Sequence, residues 1–184
     1  MNLEALFFPK KREIIQKWID LVLDSYGSPE FFKKKKDRFA NPVGATVSDG
    51  LHELYKILFE DGDLQSAAKP LENIIKIRAV QDFRPSQAVA FTYHLKRIVR
   101  DEISREKNRE DLMAALPVLD ARIDSLALMA FDFYMDCRER LHQIRLREVM
   151  SGRSALTDGT KCFSAMLKQN QAESADNNQN NRLT

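Results

Sequence analysis

The sequence predicts an all-α protein, a single bundle of about six helices with a long C-terminal helix and a disordered tail. Three observations predict it. Apolar residues recur at helical spacing along almost the whole chain, and prolines stand where helices would begin. Of 184 residues only 6 are Gly and 6 are Pro, too few for the many turns of a strand-rich domain. The expected division is a helical domain over residues 1–150 and a polar tail over 151–184.

Taken in order, Pro9 opens a first helix in which Ile14, Ile15, Trp18, Leu21, Val22 and Ser25 share one face, and Gly27 ends it. Ser28 is placed as an N-cap, with Pro29 and Glu30 in the first turn of a short helix carrying Phe31, Phe32 and the run Lys33 to Lys36. Ala40 to Gly44 reads as a turn, because the residue before a proline is biased away from helical geometry. Thr46 or Ser48 then caps a third helix bearing Val47, Leu51, Leu54, Tyr55 and Leu58, closed by Asp61-Gly62-Asp63. A fourth helix spans about 64–81, with Leu71, Ile74, Ile75, Ile77 and Val80 as its apolar set and Pro70 near its start.

After a break at Asp82 to Arg84, Pro85 starts a fifth helix with Val89, Phe91, Leu95, Ile98, Val99 and Ile103. Asn108 is placed as the cap of a following piece, which Pro117 interrupts or kinks before a long helix from about Val118 to Met150. Leu119, Leu126 and Phe133 are seven apart there, as are Ile123, Ala130, Cys137 and Ile144, a spacing that suits left-handed packing inside one chain or between two. Past Arg153 the composition turns to Ser, Asn, Gln and Ala, the signature of disorder, with one short helical stretch around Phe163 to Leu167.

Composition narrows the function. A net charge of +2 lacks the strongly basic balance expected of a general nucleic-acid binder. No run of apolar residues reaches the ~20 needed to cross a bilayer, and the N-terminus lacks the pattern of a cleaved signal, so a soluble cytoplasmic protein is expected. Cys137 and Cys162 form no CxxC pair, and Cys137 falls in an apolar row, as an inert thiol would. No phosphate loop, nucleophile elbow or metal-ligand spacing occurs, so neither an enzyme nor a cofactor is expected.

The stretch Arg78 to Lys96, RAVQDFRPSQAVAFTYHLK, is the most specified in the chain. Arg78, Gln81, Asp82, Arg84, Ser86 and Gln87 gather at an interhelix corner. They read first as caps and ion pairs holding that corner, and second as a partner or ligand surface, since Ser86 and Gln87 at a helix start offer donors to an anion. His52, His94 and His142 are the three histidines; His94, near Phe91 and Leu95, is the one placed to ligate haem, although a lone helical histidine is more often simply hydrogen-bonded. Lys33 to Lys36, with Lys10, Lys11 and Arg12, form a basic surface that reads as a solvated face.

Three blocks, RFANPVG at 38–44, RAVQDFRPSQAVAFTYHLK at 78–96 and ALMAFDFYMDCRERLHQIR at 127–145, resemble the N-terminal domain of RsbRD-type co-antagonist proteins. The resemblance covers Glu13 to Glu148. It implies an all-helical sensory or regulatory domain of signalling and stress-response proteins, globin-like without haem, often followed by a histidine kinase or STAS module. The residues after Met150 are too few for either module, so no phosphorylation output is expected in this chain. Two functions follow: a non-catalytic signalling module binding a protein partner or a second copy of itself, and a small-molecule or haem sensor with a pocket between helices.

Overall fold

The computed structural model describes residues 3–27, 40–60, 62–81, 83–106 and 109–150. Of these, 89% are helical and none is in a strand. The helices are α1 (Leu3–Phe7), α2 (Lys11–Asp24), α3 (Pro42–Phe59), α4 (Ala68–Val80), α5 (Pro85–Ile103) and α6 (Arg109–Met150), with 3-10 turns at Phe8–Lys10 and Leu64–Ala67. Five of them are long, α1 being only five residues, which corrects the expected six among the described residues. The expected helix around Phe31, the tail and Cys162 lie outside the described residues. One compact unit comprises Met1–Arg140, and Leu141–Thr184 forms a second, described only through the last turns of α6.

The core grows from the predicted faces. α2 lies against α3 and α5, and α3 pairs closely with α4. Trp18, Leu51, Leu54, Leu58, Leu71, Ile74 and Leu95 have no exposed surface. Each such side chain contributes roughly 1.5–3 kcal/mol by leaving water. α3 can approach α4 because residue 50 is glycine; a Cβ there would sit 2.9 Å from Ile74 Cδ1 and 3.3 Å from the Pro70 carbonyl oxygen. Val80 departs from its expected place in the core, standing 68% exposed on the last turn of α4.

Two proline readings are corrected. Ala40 to Gly44 is a helix start instead of a turn: Asn41 is the N-cap, its Oδ1 accepting from the Gly44 N–H at 2.9 Å, and Pro42 takes the first helical position. A Cβ at residue 44 would meet Asn41 Nδ2 at 2.3 Å, so a larger residue there would push the capping side chain aside. Pro117 neither ends nor precedes the long helix; α6 starts at Arg109 and carries the proline within it. Pro117 has no N–H to donate to the Met113 carbonyl, and both residues are exposed, where water can serve that oxygen.

The heptad row of α6 is used inside the chain. Leu119, Ile123, Leu126, Ala130 and Tyr134 are buried, Phe133 and Cys137 pack partly against the core, and Ile144 is exposed. Side chains reach from α6 to the rest of the bundle: Arg122 Nη2 donates to the carbonyls of Ile57 at 2.6 Å and Gly62 at 2.7 Å, closing the C-terminal end of α3. Lys96 of α5 pairs with Asp124 at 2.6 Å, and Arg100 pairs with Asp120.

Candidate functional site

The polar corner is built where the ends of α2 and α4 meet the start of α5. Arg84 is extended, Pro85 sets the first helical position, and Gln87 Oε1 accepts from the Arg84 main-chain N–H at 3.1 Å. That arrangement turns the main-chain carbonyls of Gln87 and Ala88 toward α4, and Arg78 answers them. Its Nε donates to Ala88 O at 3.1 Å, Nη2 to Gln87 O at 2.9 Å and Nη1 to Ser25 Oγ at 3.1 Å. The guanidinium carbon lies 4.1 Å from the Phe83 ring centre, 5.2 Å from Tyr26 and 5.7 Å from Phe91.

Arg78 is only 2% exposed. Burial lowers its pKa from the ordinary value, an effect that its contact with Tyr26 opposes, and an arginine stays charged regardless. Burial likewise pushes the Tyr26 phenol up, opposed by the Arg78 charge. Among the described residues, aromatic faces and main-chain oxygens thus surround this cation. Tyr134 completes the corner, its hydroxyl donating to Phe83 O at 2.5 Å.

The six predicted corner residues therefore divide. Arg78 holds the corner from inside; Gln81, Arg84, Ser86 and Gln87 are exposed around it, Gln87 also serving as a cap; Asp82 lies outside the described residues. His94 stands beyond this group, half-buried on α5. Burial lowers its pKa first, the charges of Arg97 and Arg78 next, which favours neutral imidazole, and its buried Nδ1 has no hydrogen-bond partner. His52 is engaged, its Nδ1 donating to Ser48 O at 2.8 Å, and His142 is exposed. Among the described residues no group of three or more His, Cys, Asp or Glu is placed to hold a metal ion. The partly buried Cys137 thiol is pushed up, burial being the leading cause, as suits an unreactive thiol.

A second surface lies one step along α5 and was missed from sequence. A groove of about 620 Å³ runs between α5 and α6, lined by Pro85, Ser86, Val89, Ala90, Tyr93 and His94 on one side and Ala127, Leu128 and Phe131 on the other. Leu128, Phe131 and Met135 form an exposed row on α6, and Tyr93 stands exposed on α5. The row has spacing i, i+3, i+7, but the stronger core-facing heptad on the same helix concealed it.

A helical bundle with a cation clasp at its corner and an apolar face on its long helix fits the class of helical signalling domains. The chain belongs to the family of the RsbT co-antagonist protein rsbRD N-terminal domain, whose model matches residues 12–149. That family is one of signalling-type domains. It is also 22% identical over 139 residues to an uncharacterized protein of Archaeoglobus fulgidus, an alignment covering 75% of this chain and 83% of the relative. No solved structure matches it. Among the described residues no helix is long and apolar enough to cross a membrane.

Proposed function

We propose that this domain is a non-catalytic signal-transduction module that binds a protein partner, or a second copy of itself, through the α5–α6 face. The observation that carries the reading is the exposed apolar row of Leu128, Phe131 and Met135 beside Tyr93. Apolar residues grouped on a surface, with aromatic and methionine side chains prominent, are the composition of interface cores. Family membership supports a signalling role, and on this reading the domain acts in the cytoplasm. The test is native mass spectrometry and partner capture with the wild-type chain and with Leu128→Asp/Phe131→Asp. The expected result is a dimer or a captured partner for the wild type, lost in the variant while the melting temperature holds. A wild-type monomer that captures nothing more than the variant does would sink the reading.

A second reading, a small-molecule or haem sensor, is favoured by the unpartnered Nδ1 of His94 beside the same groove. The same spectra test it: extra mass on the folded chain, lost on denaturation and lost in His94→Ala, is its expected signature.

A further inference from the structure

The segment Leu3–Lys10 stands ahead of the family-matched span, which begins at residue 12, and leads directly into α2 while Leu3 and Phe7 pack into the core. Leu3 and Phe7 are buried, and Phe7 meets Phe59 edge to face at 5.2 Å between ring centres. Three residues after Phe7, Lys10 pairs with Glu106 at 2.7 Å and reaches the buried Glu102 at 4.0 Å. A helix of five residues is far below the length that is stable alone, so these anchors hold it in place. They hold it imperfectly: a cavity of about 230 Å³ remains beside Leu6 and Phe7, walled by Ile103 and Leu112 and rimmed by Glu102 and Glu106.

We propose that the groove under this segment is a docking site for a partner helix, which the chain's own N-terminus occupies as a displaceable plug. The partner has the chemistry the plug displays: two apolar anchors four residues apart, and a Lys or Arg three residues beyond the second. Charge complementarity selects it, because Glu102 and Glu106 meet a cation at that register, and the unfilled cavity gives a bulkier partner side chain apolar area that the plug leaves unused. The plug lowers the apparent affinity for the partner by the fraction of time the groove is free. The proposal does not rest on the α5–α6 face.

The test uses the full chain. Fluorescence polarisation follows a labelled peptide of the first twelve residues, MNLEALFFPKKR, added to the wild type and to Lys10→Glu, whose plug is repelled by Glu102 and Glu106. The expected result is binding at least about tenfold tighter to Lys10→Glu than to the wild type, and none for the peptide carrying Phe7→Ala. Hydrogen exchange on the wild type gives an independent reading: amides of 3–10 should exchange about a hundredfold faster than those of 51–58 in α3. Equal protection of the two segments overturns the proposal, and so does absence of peptide binding to a cooperatively melting Lys10→Glu. A Lys10→Glu dimer with exchanged N-termini would assign the groove to a second copy and overturn the separate partner.

Discussion

The indole N–H of Trp18 donates to the main-chain carbonyl of Phe91 at 2.7 Å, and the two rings stack with centres 6.3 Å apart. This contact joins α2 to α5 in the middle of the core, and Trp18 is the one tryptophan of the chain. Trp18→Phe should cost about 1–3 kcal/mol, a lost hydrogen bond plus unfilled volume. Urea unfolding followed by circular dichroism checks it. In the wild type, tryptophan fluorescence should report the same midpoint, since the residue sits in the unit that unfolds cooperatively.

Arg78→Lys keeps the charge at the corner but not the fork. A lysine cannot serve Ala88 O, Gln87 O and Ser25 Oγ together while stacking on Phe83, so a loss of about 2–4 kcal/mol is expected. Thermal melting measures it. Arg84→Glu, on the exposed rim of the same corner, should change stability by less than about 0.5 kcal/mol.

Glu102 should make the fold acid-sensitive. Burial pulls its carboxyl upward, but the hydrogen bond from Lys17 and the charges of Lys17 and Arg105 outweigh this and hold it below the usual carboxylate value of 4.5. A depressed folded pKa adds stability above that value, and the contribution disappears as pH falls through the folded pKa. Urea midpoints measured from pH 7 downward should therefore drop below about pH 4.5, and Glu102→Gln should start lower and fall less steeply.

Gly50→Ala sets two effects against each other. Alanine favours a helix interior by about 1 kcal/mol over glycine, whereas forcing Ile74 and the Pro70 carbonyl away costs about 1–3 kcal/mol. The backbone oxygen has little room to retreat, so a net loss near 1 kcal/mol is expected from denaturant midpoints.

The core faces of α2, α3 and α5 were legible because burial there follows the 3.6-residue period without exception at Trp18, Leu54 or Leu95. Helix boundaries at prolines were not. Asn41-Pro42 spells a cap as readily as a turn, and only the Gly44 N–H turned toward Asn41 decides between them. Pro117 is tolerated because its face of α6 is wet, a tertiary fact invisible to local propensity. At the corner, the meeting of Arg78 with the start of α5 was readable, but its burial was not, because its acceptors are main-chain carbonyls that no residue type announces.

On α6, the row that faces the core and the row that faces outward are fixed to one cylinder. Any change that re-seats Ile123 and Ala130 by rotating the helix must sweep Leu128 and Phe131 through the same angle. Interior packing and the bearing of the outward face are therefore a single variable, as the lobes of a camshaft turn only with their shaft.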